Sequence, residues 1–154
     1  YPTIVNASGA FQHGHTYIGH PAAAAAANAV MNRLIDDDVL GRVTPAGEAL
    51  QAALTDRLGQ HPHIGDIRGR GLFRGVELVA DRDTKTPFDP ARKLHAKVKA
   101  AALEEGLVCY PMGGTADGKA GDHVLLAPPY IISEDEIGML ADRLSAAIDR
   151  ALDA

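Results

Sequence analysis

Eight residues, Gly14-His15-Thr16-Tyr17-Ile18-Gly19-His20-Pro21, run without a break into the alanine tract Ala22 to Ala27. The tract constrains the fold more than any other stretch. Alanine is the strongest helix former, and proline is well placed at a first helical position, where its missing N–H is not needed. A helix is expected from Ala22 to about Ile35, with a small-residue face that another backbone can approach closely. Just upstream, Gly14 and Gly19 allow conformations that expose N–H groups, and the Thr16 hydroxyl can donate to a phosphate oxygen. Together with a helix N-terminus these are the parts of an anion cradle. The same small residues also make ordinary turns, and spacing alone leaves both readings open.

Beyond Ile35 the chain alternates helical and extended patterns. Asp36-Asp37-Asp38 reads as a solvated junction and helix end, because adjacent carboxylates on a helix point apart and do not converge on a metal. Leu40, Val43, Leu50, Leu54 and Leu58 recur at helical spacing, with a restart or kink near Thr44-Pro45. Ile64 to Arg68 and Leu72 to Val79 read as strands around a glycine bend. A helix follows over about Pro90 to Glu105, stopped by Gly106 as a left-handed cap. Leu107 to Tyr110 and His123 to Leu126 supply two short strands. Ser133 and Glu136 make a capping box ahead of a final helix whose buried stripe is Ile137, Leu140, Leu144 and Ile148. The expected fold class is α/β, with helices on a small mixed or antiparallel sheet. No internal repeat stands out.

Composition narrows the function. A net charge of −5 argues against nonspecific nucleic-acid binding as the main task. The hydrophobic fraction of 46% includes no uninterrupted run of membrane-spanning length. Cys109 is the one cysteine; it excludes an internal disulfide and fits a reducing, cytoplasmic setting.

Two other motifs compete for attention. Gly69-Arg70-Gly71 suggests a dinucleotide loop, but the next glycine is Gly75, and Val76 to Val79 is strand-like where that motif needs a helix. These glycines fit a tight connection between strands, with Arg68 and Arg70 either solvated or directed toward an active-site entrance. His13, His15 and His20 cluster, as do His61 and His63. Neither group has the spacing or the additional ligands of a standard zinc site, so no metal is expected.

Three blocks carry a family resemblance. Phe11-Gln12-His13-Gly14-His15-Thr16-Tyr17-Ile18-Gly19-His20-Pro21 resembles the loop of class III aminotransferases, pyridoxal phosphate (PLP) enzymes of fold type I. Ile67-Arg68-Gly69-Arg70-Gly71-Leu72-Phe73-Arg74-Gly75-Val76-Glu77-Leu78 and Ala127-Pro128-Pro129-Tyr130-Ile131-Ile132-Ser133-Glu134-Asp135-Glu136-Ile137 continue it, in the family's order. The sequence opens on Tyr1 and not Met, and it matches only the C-terminal part of such enzymes. The resemblance implies that residues 1–20 end a large cofactor domain and carry its phosphate loop. It makes 21–40 a connecting helix and 41–154 a C-terminal small α/β domain.

The resemblance also implies roles. Thr16, through hydroxyl and backbone N–H, would hold the PLP phosphate, with the His15 backbone adjacent. The loop would cross a homodimer interface into the neighbouring subunit's site. The Schiff-base lysine lies upstream in the family, and Lys85, Lys93, Lys97, Lys99 and Lys119 fall in polar turns or on helix surfaces, without the desolvated setting such a lysine needs. No catalytic residue is therefore assigned, and these residues alone are not expected to transaminate. Many relatives place a carboxylate-binding arginine three residues before Pro128-Pro129; here that residue is Leu125. Amine-type members carry a mobile arginine where this chain has Tyr110. Tyr110 either presents its hydroxyl and ring to substrate or packs within the small domain. The expected reaction moves an amino group from an amine or ω-amino acid to a keto acid or aldehyde. The alternative is a non-catalytic α/β binding or regulatory domain derived from the same fold.

Overall fold

Proline and glycine punctuation sets the element boundaries in the computed structural model, which describes residues 1–154. The chain forms two units, Tyr1–Asp38 and Val39–Ala154.

In the first unit, helix α1 spans Pro2–Ser8 and helix α2 spans Pro21–Asp36. Each has proline in its first turn, where fixed φ favours the helix and the absent N–H leaves no donor unpaired. α1 stops at Gly9, which adopts a φ of 78°. Its seven residues bury no face and so carry no helical periodicity in the sequence. α2 ends at Asp37, whose carboxylate meets Arg33 at 2.6 Å one turn back; the guanidinium in that last turn suits the negative end of the helix dipole. α2 buries none of its residues: the alanine tract, Val30, Met31 and Ile35 are all exposed. The close packing expected of that tract is not made within its own unit.

The second unit is built on helices α3 (Val43–Leu58), α4 (Leu94–Glu104) and α5 (Glu134–Asp153) and strands β1 (Ile64–Arg70), β2 (Phe73–Leu78), β3 (Tyr110–Gly113) and β4 (Asp122–Leu126). All pairings are antiparallel, and the sheet order is β1-β2-β4-β3. Three helices lie over one face. Leu50, Leu54 and Leu58 of α3 meet Leu94 and Val98 of α4 and Ile137, Leu144 and Ile148 of α5, with Val76, Leu78, Val124 and Leu126 beneath them. Full burial of each such aliphatic chain stabilises the unit by about 1.5–3 kcal/mol. The other face of the sheet carries no helix of its own, and its side chains are the outward half of the period-2 alternation.

Local signals explain most boundaries. Pro45 lies in the first turn of α3, where the helix restarts after a short 3-10 turn at Leu40–Arg42. Arg70 pairs with Phe73 across a two-residue hairpin loop. Gly71 takes its first central position with φ of 54°, as such loops require. Gly106 has φ of 75° after α4. Ser133 and Glu136 form the reciprocal capping box of α5. Two expected elements differ. The helix over Pro90 to Glu105 is interrupted at Lys93, left-handed with φ of 50°, so Pro90–Arg92 is a separate 3-10 turn. The strand expected at Leu107 to Tyr110 instead begins at Tyr110, because only from there does the backbone pair with β4.

Candidate functional site

The turn of the first unit closes with two backbone bonds, Ile18 N–H to the His15 carbonyl at 3.0 Å and His20 N–H to the Tyr17 carbonyl at 3.1 Å. Gly19 has φ of 74°, the left-handed conformation that makes the second of them accessible. His20 is the N-cap of α2: its Nδ1 accepts the Ala23 N–H at 3.1 Å and its carbonyl accepts Ala24 N–H. The neutral His20 ring therefore carries its proton on Nε2.

These bonds use most of the donors a helix start normally offers to an anion. His20 N–H and Ala23 N–H are taken and Pro21 has none, which leaves Ala22 N–H. The donors that the segment leaves open therefore lie mainly in the turn before the helix. There the Thr16 hydroxyl is exposed and has no partner within the chain. The His15 carbonyl is occupied by Ile18, and its ring stands edge-on to His13 at 4.9 Å. From Tyr1 to Ile35 there is no Asp or Glu, so an anion at Thr16 meets no fixed negative charge of its own segment.

The open face of the sheet in the second unit is a chemically mixed surface with two adjoining depressions. Strand register sets its side chains in two rows across all four strands. One row is Arg68, Gly75, Leu125 and Tyr110; the next is Asp66, Glu77, His123 and Met112. Gly75 contributes no side chain, and a depression of about 380 Å³ opens there between Arg68, Phe73, Glu77, Thr115, His123 and Leu125. A second depression of about 460 Å³ adjoins it through the shared Phe73 and Leu125, and is completed by Val108, Cys109, Tyr110 and Ala127.

The polar end of this face is tied together. Arg68 Nη1 donates to Asp66 at 3.0 Å and to Glu77 at 2.5 Å, and these carboxylates hold the guanidinium pKa above its ordinary value. Arg68 thus bridges the two rows as an ion-paired guanidinium whose side chain is about half exposed. His123 Nδ1 bonds the Thr115 hydroxyl. Burial first, then the Arg68 charge, holds the His123 pKa below its ordinary value of 6.5. Burial also pushes the Cys109 thiol up, which disfavours the thiolate.

Tyr110 stands on this open face, 61% exposed, directly across from Leu125. The stretch from Gly114 to Gly121 is an ordered extension of the β3–β4 hairpin. Asp117 accepts the N–H groups of Lys119 and Ala120, and Thr115 N–H reaches the Gly121 carbonyl. His61 and His63 lie elsewhere, bonded to Asp149 and to the Val79 carbonyl. Sequence reasoning missed the only buried charged residue, Asp122, which is 4% exposed and accepts both the backbone N–H and the ring Nδ1–H of His95. Its partner lies twenty-seven residues away, and no local pattern marks it.

The fold, with its antiparallel four-stranded sheet under three helices, is shared with solved transaminases of PLP fold type I. An (S)-enantioselective omega-transaminase from Thermomicrobium roseum superposes with a TM-score of 0.83 at 33% identity, over 98% of this chain and 32% of that one. The family model for class-III aminotransferases matches residues 2–148, and the chain belongs to that family. An aminotransferase of Gibberella zeae is 42% identical over 97% of this chain and 29% of its own length. An adenosylmethionine-8-amino-7-oxononanoate aminotransferase of Nitratidesulfovibrio vulgaris is 38% identical over 90% of this chain and 24% of its own. The chain thus spans about a third or less of the relatives it matches.

Proposed function

We propose that this chain is the C-terminal part of a PLP-dependent class III transaminase that moves an amino group from an amine or ω-amino acid to a keto acid or aldehyde. In that reading residues 1–20 end the large cofactor domain, 21–40 connect, and 41–154 are the small domain. The enzyme is a homodimer whose phosphate loop serves the neighbouring subunit, and it works in the cytoplasm. No helix here is long and apolar enough to cross a membrane.

The observation that carries the proposal is the unpartnered Thr16 hydroxyl on a turn free of acidic residues. Those residues fit a dianionic phosphate. The Thr16 hydroxyl and N–H would donate to its oxygens, with the His15 N–H alongside, and charge-assisted bonds of this kind are the strong ones. When bound, PLP supplies the electron sink for carbon–nitrogen chemistry. The chain's own contribution is to anchor the phosphate and hold it in register, while Tyr110 presents its hydroxyl and ring to the substrate. The lysine that anchors the cofactor covalently is expected outside these residues: Lys85, Lys93, Lys99 and Lys119 are exposed and Lys97 is half-buried on α4.

The test is PLP affinity of the full-length protein, followed by visible absorbance, for wild type and Thr16→Val. Loss of a hydrogen bond to a charged group costs about 1.5–3 kcal/mol, so affinity should fall by about 10- to 150-fold. Unchanged affinity refutes the Thr16 assignment. A full-length protein that takes up no PLP refutes the enzyme and leaves the non-catalytic domain.

A further inference from the structure

The helix that follows the Thr16 turn begins on an unusual cap. Serine, threonine, aspartate and asparagine are the side chains that ordinarily hold the first free N–H groups of a helix. At α2 the holder is His20, whose ring Nδ1 accepts the Ala23 N–H at 3.1 Å. Pro21 offers no N–H and the first turn contains no acidic residue, so the start of α2 leans on that ring. The same residue is tied backward into the turn. Its N–H donates to the Tyr17 carbonyl at 3.1 Å, and its ring stands edge-on to that of Tyr17 at 6.1 Å. Tyr17 follows Thr16 directly. His20 therefore links turn and helix through bonds between residues at most four apart, which belong to the segment itself whatever packs around it.

Imidazole differs from the ordinary caps in taking up a proton between about pH 5 and 8. With Nε2 already protonated, the incoming proton goes to Nδ1, the atom that holds the Ala23 N–H. The protonated ring has no acceptor left, and its charge sits at the positive end of the helix dipole. Protonation thus removes the cap and sets the ring against the helix start. Nothing in the segment offsets this: the other titratable side chains from Tyr1 to Ile35 are Tyr1, His13, His15, Tyr17 and Arg33, none of them a carboxylate. Aspartate would cap as well but would fix a negative charge four residues from Thr16. Neutral His20 caps without one.

We propose that His20 is a positioning residue for the phosphate anchor: its neutral ring pre-organises the turn that presents Thr16, and its protonation releases that turn. The inference rests on the reading of Thr16 as the phosphate-holding residue and adds a regulator to it, a single titratable side chain. A turn that is ordered only part of the time lowers the apparent affinity by that fraction. The grip on the phosphate is therefore full above the imidazole range and weaker below it.

The experiment measures the affinity of the full-length protein for PLP and for pyridoxal, which lacks the phosphate, at about pH 8 and about pH 5.5. The proteins are wild type, His20→Asn, His20→Ala and Thr16→Val. Asparagine is a strong cap that does not titrate, so His20→Asn should match wild type at the higher pH. At the lower pH it should bind PLP about fivefold more tightly than wild type, the equivalent of a typical cap. Protonation of the cofactor phosphate itself acts on both proteins alike and cancels in their ratio. His20→Ala should bind PLP about fivefold more weakly than wild type at the higher pH. Pyridoxal affinity should stay within about twofold of wild type in both His20 variants, since the turn holds only the phosphate. Equal losses for PLP and pyridoxal, or a ratio of His20→Asn to wild type that does not change with pH, overturn the inference. If Thr16→Val still weakens PLP in that case, the phosphate reading stands. Unchanged PLP affinity in Thr16→Val overturns both.

Discussion

Replacing Asp122 with alanine should loosen α4 from the sheet. Asp122 opens β4, and its Oδ1 accepts the His95 backbone N–H at 3.0 Å and His95 Nδ1 at 2.7 Å. The first bond closes a donor at the start of α4 that would otherwise be orphaned, and losing such a cap costs about 1 kcal/mol. The second is a bond to a charged acceptor, for which the loss is about 1.5–3 kcal/mol. Removing the carboxylate also removes the cost of keeping a charge where only 4% of the residue is exposed. That offset brings the expected net destabilisation to about 2 kcal/mol, below the summed losses of about 2.5–4 kcal/mol. Native-state hydrogen exchange reads this locally, whatever else the polypeptide contains. Amides of the first turn of α4 should exchange about 30-fold faster in Asp122→Ala. Asp122→Asn keeps an acceptor at the same place and should recover about half of the loss. A double-mutant cycle with His95→Ala should show a coupling of about 1 kcal/mol. Exchange rates within a factor of two of wild type, or no coupling to His95, would refute the assignment of Asp122 as the clamp between β4 and α4.

Two further outcomes follow from the second unit. The His123 ring should titrate with a midpoint below 6.5. Because its folded pKa is depressed, its contribution to stability is present above the ordinary value and is lost as pH falls through the folded one. In Arg68→Met the Coulombic push is removed, and the midpoint should rise in an NMR titration; a fall would show that Arg68 is not the neighbour responsible. Gly47→Ala pits helix propensity against packing. Alanine favours the helix by about 1 kcal/mol, but its Cβ would lie 2.8 Å from the Gly71 Cα and nearer still to the Gly71 carbonyl, all of it backbone. Overpacking that cannot relax costs about 1–3 kcal/mol or more, so the melting temperature should drop. An unchanged or higher melting temperature would mean that the β1–β2 loop yields.

What the sequence revealed was local. Ser133 and Glu136 face each other within one helical turn, Gly106 needs only its own φ, and the Leu50, Leu54, Leu58 stripe is read from a single period. What it concealed was made by chain crossing. β4, and not β3, pairs with β2, in the order β1-β2-β4-β3, so Tyr110, Leu125, Gly75 and Arg68 come into line only once three separate registers are set. The same applies to Arg74, which reaches from β2 to the Gly47 carbonyl on α3. α1 escaped because seven residues without a buried face leave no periodicity to detect. The turn around Thr16 and the helix start after it were legible through glycine and proline placement. The neighbours that give Tyr110 its setting were not.

The two cross-strand rows divide the labour of β2 and β4 between alternate residues. Arg74, Val76 and Leu78 face the helices, while Phe73, Gly75 and Glu77 face the other way. A change at an outward position leaves the inward side chains where they are, whereas a slip of one register step would exchange the two sets and drive Glu77 into the apolar layer. The charged row therefore works as a lock on strand alignment, and that lock is what allows the neighbouring row to vary. Side chains can be exchanged at Tyr110, Leu125 or Gly75, one residue at a time, without renegotiating the interior on the reverse side of the same strands.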